Sequence, residues 1–283
     1  MKNYYLKDKE FNYIRYNSLP TFADYVIEFD KEYYRNVGVD ICYNKSNGLN
    51  VNELKPFDSI FIKVDLLESS LNWLSNLNVP FHLMSGNGDI TISDDLIKRV
   101  LNSKIASWTG NNLNKIDEKI LQVPIGFCEI GRNRPNAFKE YVEPSERKLI
   151  DIVVTPSSNT HPNRKEIDSI IGKNILNISK RLDYEQFLTA MGISKYSICP
   201  RGNGVDTHRF TESILMNCIP IVKSSILNPM FEEMGGVIVE DWNQIHALDF
   251  DNLPTINRDV ITLEYWENRI INHRNKWEKL WAQ

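Results

Sequence analysis

The sequence predicts an α/β protein. Short apolar runs rich in β-branched residues alternate with longer amphipathic stretches, the pattern given by parallel strands covered by helices. The chain has 283 residues, 42% of them hydrophobic, enough for one large or two medium domains with buried cores. A polar, proline-containing stretch at 131–148 reads as a connection between two halves. It places a boundary near 147, with an N-terminal domain of 1–147 and a C-terminal domain of 148–283.

In the first half, 59–67 (SIFIKVDLL) and 79–85 (VPFHLMS) read as strands with a helix, LESSLNWLSNL, between them. The stretch 93–103 (SDDLIKRVLNS) opens with a good N-cap followed by acidic residues, as a helix start should. KIASWTG and KILQVPIGF resemble further short strands. In the second half LIDIVVT (149–155) is a buried strand, and a turn and a helix follow at HPNRKEIDSII. YSICP (196–200) is a strand that leads into a glycine-rich stretch and a helix, and CIPIV (218–222) and GGVIVED (235–241) are the last strands. The final stretch, about 262–283, is a long helix that offers Leu263, Trp266, Ile270, Trp277 and Trp281 as an apolar stripe and is able to pack back on the first domain.

Composition narrows the function. The 33 Lys+Arg stand against 37 Asp+Glu, so no overall field attracts a polyanion, nucleic acid is not an expected partner, and any anion site must be local. The opening MKNYYLKDKEFNY carries charges where a signal peptide needs apolar residues. Nothing approaches the roughly 18 apolar residues of a membrane span. A cytoplasmic protein without a transmembrane segment is expected. Cys42, Cys128, Cys199 and Cys218 form no Cys-x-x-Cys pair, which points to buried thiols rather than a zinc site or a disulfide framework.

The chemistry concentrates in CPRGNGVDTHRFTESILMNCIPIV, residues 199–222. After a strand, Gly202 and Gly204 permit positive φ and let backbone N–H groups converge on an anion. Asp206 or Thr207 can cap the next helix, whose N-terminus adds partial positive charge. Arg201 and Arg209 supply charge-assisted donors suited to phosphate oxygens. Arg209 and Glu212, three apart, share a helical face, and Glu212, almost two turns in, is at the reach of a ribose whose hydroxyls a carboxylate can accept. Asn203 and His208 complete the cluster, and Asn217 follows the helix where left-handed geometry is wanted. In the preceding βα loop, PSSNTHPNRKE, Pro162 suits a first helical turn and Arg164 sits near the helix start. Both loops lie at carboxyl ends of strands, where open α/β sheets bind ligands. A five-residue echo, SGNGD at 85–89, also follows a strand.

YSICPRGNGVDTHRFTESILMNCIPIV, with the preceding IDIVVTPSSNTHPNR and the following VIVEDW, resembles the nucleotide-sugar-binding half of exostosin-like glycosyltransferases, particularly the soluble short forms of viruses and microbes. The likeness covers roughly 149–242. It implies a GT-B architecture of two Rossmann-like domains facing a central cleft, with the donor held mainly by the second. Carried over, Arg201 and Arg209 would face the diphosphate and Glu212 the ribose, while Asn203, Asp206 and His208 shape the sugar–phosphate pocket and Arg164 assists. The sequence departs from the family at Thr211 and Asn217, where Trp and Gly are more usual, and nothing along it reads as the membrane anchor of animal exostosins.

The resemblance implies a glycosyltransferase that moves a sugar from a nucleotide-sugar donor, UDP favoured over GDP, to a glycan or other hydroxyl acceptor. Cations and a helix N-terminus would stabilise the leaving diphosphate, so no metal and no further cofactor is expected. An inverting reaction needs a base. Asp89, after a strand and two glycines, is the first candidate and Asp65 the second. Two alternatives are a metal-dependent transferase using Asp249 and Asp251 of LDFDN and a non-catalytic nucleotide-sugar-binding module.

Overall fold

The computed structural model describes residues 12–15, 18–27, 42–43, 54–88, 92–127, 146–155, 160–168, 170 and 172–283. The chain forms two compact units, one of Met1–Asn12, Tyr16–Ile125 and Leu263–Gln283, the other of Tyr13–Arg15 and Gly126–Thr262. The division falls at Ile125/Gly126, before the polar stretch at 131–148. Gly126 adopts φ +70, and a Cβ there would lie 2.4 Å from the Ile14 carbonyl oxygen, so only glycine lets the chain turn at this point.

The first unit runs α1 (Ser18–Thr21), β1 (Tyr25–Ile27), β2 (Cys42–Tyr43), β3 (Ser59–Lys63), α2 (Val64–Ser75), β4 (Phe81–Gly86), α3 (Asp94–Leu101), β5 (Ile105–Gly110) and β6 (Ile120–Gln122). Its sheet has the order β2-β1-β3-β4-β5-β6, and every pairing is parallel. Ile60 and Ile62 of β3 are fully buried against Leu67, Leu71 and Leu74 of α2 and Ile97 and Val100 of α3. The strand read over 59–67 stops at Lys63, and its second half opens α2. A continuous apolar run fits strand and buried helix alike, and Val64, Leu67, Leu71 and Leu74 have helical spacing. Ser93 caps α3 as its sequence suggests, its Oγ accepting the Leu96 N–H at 3.2 Å.

The second unit runs β7 (Ile150–Val154), α4 (Asn163–Asp168), β8 (Ile175–Asn177), α5 (Tyr184–Gly192), β9 (Ser194–Ile198), α6 (His208–Leu215), β10 (Ile219–Lys223), α7 (Asn228–Glu233) and β11 (Val237–Val239). The sheet order is β11-β10-β9-β7-β8, again parallel throughout. Ile152, Tyr196, Ile198, Ile219 and Ile221 form its core with Trp242 and Ile245. The protein is therefore α/β, with two doubly wound parallel sheets. Asn217 takes the left-handed conformation, φ 51, between α6 and β10, as its position in the sequence predicts. Cys199 and Cys218 are buried free thiols; burial pushes Cys199 up to about 11 and Cys218 further in the same direction. Cys128 lies outside the described residues.

The last helix, α8 (Leu263–Trp281), belongs to the first unit. Leu263, Trp266 and Ile270 are buried, whereas Trp281 is 42% exposed, so the apolar stripe covers only the first half of the helix. Its second half is held by polar contacts. Arg274 donates to Ser59 Oγ and the Phe57 carbonyl, each at 3.3 Å, and Trp277 Nε1 donates to the Glu118 carbonyl at 3.2 Å. Beneath it His82, 1% exposed, lies 2.7 Å from Ser107 Oγ through Nδ1 and 3.2 Å from Glu278 Oε1 through Nε2. Among the described residues no helix is long and apolar enough to cross a membrane.

Candidate functional site

In the second sheet β7 has β8 on one side and β9 on the other, so the strand order reverses at β7. Open α/β sheets bind ligands at such a reversal, outside the carboxyl ends of the strands. The segments that follow β7 and β9 there carry the sequence-predicted residues: Arg164 at the start of α4, and Arg201 to Glu212 running from the loop into α6.

Arg164 joins the two loops by donating its Nε–H to the Arg201 carbonyl at 2.8 Å. A Cβ on Gly202 would lie 2.8 Å from Arg164 Nη2 and 3.3 Å from Thr160 Oγ1. Gly202 therefore makes room for the guanidinium. It does not supply positive φ, and neither does Gly204, since among the described glycines only Gly126 and Gly235 have it. The loop turns instead through the Gly202 N–H, which donates to the Gly204 carbonyl at 2.9 Å. The echo at 85–89 is likewise limited to a loop after a strand: Asn87 is left-handed, φ 59, and Asn203 is not.

Three guanidiniums and an imidazole gather here. Burial, with the charge of Arg209 added, lowers Arg164 to about 10, so it stays cationic at neutral pH. Arg209, at the start of α6, is also lowered by burial, an effect that Cys199 and Glu212 oppose. Its Nη1 approaches the Ile198 carbonyl at 3.5 Å and its guanidinium lies over the Phe187 ring at 5.6 Å. Arg201 keeps a buried Nε with no hydrogen-bond partner among the described residues, while its Nη2 is 3.4 Å from the Asn203 carbonyl. His161 is lowered first by desolvation and then by Arg201 and Arg164, with Glu166 acting in the opposite direction. The sequence reading passed over His161, although it stands three residues before Arg164 in the same loop.

Thr207 is the N-cap of α6 in extended geometry, φ −134 and ψ 152, yet its side chain makes no capping bond. The first N–H groups of α6 thus lack a side-chain cap from their own N-cap residue at the end of the helix that favours an anion. Glu212 is buried and accepts the Tyr184 hydroxyl on Oε1 at 2.7 Å. It stands little more than one turn into α6, nearer the helix N-terminus than the sequence suggests, because the helix begins at His208.

Three other predicted residues have different surroundings. Asp206 is buried at 2% exposure within the loop, and Asn203 is exposed. His208 hydrogen-bonds the Gly126 carbonyl through Nδ1 at 2.6 Å, which commits that nitrogen to the backbone as donor. Asp89 lies outside the described residues. Asp65 is in the first turn of α2, where a Cβ on Gly88 would lie 2.5 Å from its Oδ2, so the loop after β4 meets the start of α2 there. The Asp249 carboxylate closes a turn, with Oδ1 accepting the N–H groups of Asp251 and Asn252 at 2.9 and 3.0 Å and Oδ2 accepting Asn252 Nδ2 at 2.9 Å. These bonds hold it below the usual carboxylate range.

The arrangement can bind a dianion beside a carboxylate able to accept hydroxyl groups. No family model matches the chain, and no curated protein matches it. Among solved structures it is similar to a UDP-forming α,α-trehalose-phosphate synthase from Burkholderia xenovorans, with 10% identity and a TM-score of 0.41 over 88% of this chain and 80% of the other. It is also similar to a UDP-forming α,α-trehalose-phosphate synthase from Burkholderia vietnamiensis, with 10% identity and a TM-score of 0.35 over 82% of this chain and 75% of the other.

Proposed function

We propose that the second unit holds a nucleotide-sugar donor and that the protein is a glycosyltransferase of the GT-B, exostosin-like kind. The observation that carries this reading is the gathering of Arg164, Arg201 and Arg209 with Glu212 where the strand order reverses. Glycosyl transfer breaks the bond between the anomeric carbon and the diphosphate oxygen, and the developing charge needs donors already in place. The guanidiniums supply that charge stabilisation, and Glu212 accepts from the ribose. In this reading the donor is a UDP-sugar, the acceptor a glycan or other hydroxyl compound, and no metal is required. Inversion calls for a carboxylate outside the donor cluster to take the acceptor proton, and Asp89 is the candidate.

The test is a panel of nucleotide sugars assayed for binding and turnover with and without chelator. Turnover that survives chelation and is lost in Arg209→Ala supports the reading. Chelator-sensitive turnover favours a metal-dependent transferase, and tight binding without transfer or hydrolysis favours a binding module.

A further inference from the structure

Two helical pairs face each other beside the site. On α5, Tyr184 and Phe187 stand three residues apart with their rings stacked, centroids 5.9 Å apart and 18° between planes. On α6, Arg209 and Glu212 are also three apart. The Tyr184 hydroxyl donates to Glu212 Oε1 at 2.7 Å, and the Phe187 ring lies under the Arg209 guanidinium at 5.6 Å. Each member of one pair therefore meets one member of the other.

The start of α5 is itself fixed. Asp183 accepts the Gln186 N–H at 2.8 Å while the Gln186 side chain accepts the Asp183 N–H at 3.2 Å, a complete capping box around Tyr184. Tyr184 is only 8% exposed and Glu212 only 3%. A buried carboxylate with a fixed hydrogen-bond donor on one oxygen presents its other oxygen in a set direction.

We propose that the first turn of α5 positions the donor-binding side chains, with Tyr184 orienting Glu212 towards the ribose hydroxyls and Phe187 holding Arg209 towards the diphosphate. The proposal rests on the donor-site reading above. It assigns Tyr184 and Phe187 positioning roles, since each acts through a neighbour.

The experiment is a calorimetric titration with UDP and with inorganic pyrophosphate, which lacks the ribose. Tyr184→Phe deletes one oxygen and keeps the ring, so the stack on Phe187 survives. It should weaken UDP about tenfold, the scale of a hydrogen bond to a charged group, and leave pyrophosphate within about twofold. In a Glu212→Ala background the same substitution should have no further effect on UDP. Phe187→Leu should weaken both ligands by a similar factor, and not at all in an Arg209→Ala background. Equal losses of UDP and pyrophosphate in Tyr184→Phe, or an undiminished effect in the Glu212→Ala background, overturn the role of Tyr184; an undiminished Phe187→Leu effect without Arg209 overturns that of Phe187. Wild-type protein that binds neither ligand overturns the donor-site reading itself.

Discussion

Arg164 donates its Nε–H to the backbone carbonyl of Arg201 at 2.8 Å, so the loop after β7 holds the loop after β9. Gly202 is part of the same contact, because any larger residue would press on the guanidinium. Arg164→Met should remove both the tie and a positive charge, weakening UDP about tenfold or more. Gly202→Ala should weaken UDP by less and leave the melting temperature within a few degrees, since the atom in its way is the movable end of a side chain. Calorimetric titration and thermal unfolding of the two variants check both statements.

The pH dependence of ligand binding follows from His161. Burial, Arg201 and Arg164 hold its pKa below the ordinary value of 6.5. A bound diphosphate offsets those two cationic charges and raises the pKa, so the bound protein holds more protons than the free one. Affinity must then increase as pH falls through the bound-state pKa towards the free-state one. As pH falls, UDP affinity should rise more steeply in the wild type than in His161→Gln, because the titration of UDP itself is common to both. Identical slopes for the two proteins contradict the assignment.

His82 predicts a pH effect on stability instead. Burial, with Arg274 and His273 added, pushes it down to about 3, so it is neutral in the folded protein. Ser107 Oγ–H then donates to Nδ1, and Nε2–H donates to Glu278. A histidine with a depressed folded pKa contributes stability that is full above its unfolded pKa and lost as pH falls from there towards the folded value. The loss should be about 1.4 kcal/mol per pH unit below roughly pH 6, on top of the carboxylate effects. His82→Asn should abolish that extra slope in urea unfolding followed between pH 4 and pH 7.

The sequence makes the site more legible than its surroundings. Residues 194–223 show a strand, a loop, a helix and a strand, because the apolar runs are sharply bounded and the charges fall between them. The same stretch misleads about its glycine, since a close approach by Arg164 from the preceding βα loop leaves no local signal. Helix α5 is hidden for a similar reason: Tyr184 and Phe187 belong to no motif, and only the contacts with Glu212 and Arg209 connect them to the site. The long C-terminal helix is plain in the sequence. Its attachment through Arg274 and Glu278 to residues near position 60 and to His82 depends on contacts that no local pattern encodes.

The most direct measurement of the central claim is the affinity of UDP for the wild-type protein and for Arg209→Ala under identical conditions, with folding of both confirmed by circular dichroism. The account predicts saturable one-to-one binding to the wild type and a loss of about tenfold or more in the variant, as removal of a charge-assisted phosphate contact requires. Absence of binding to the wild type, or equal affinity in the two proteins, contradicts a donor site built on the reversal between β7 and β9.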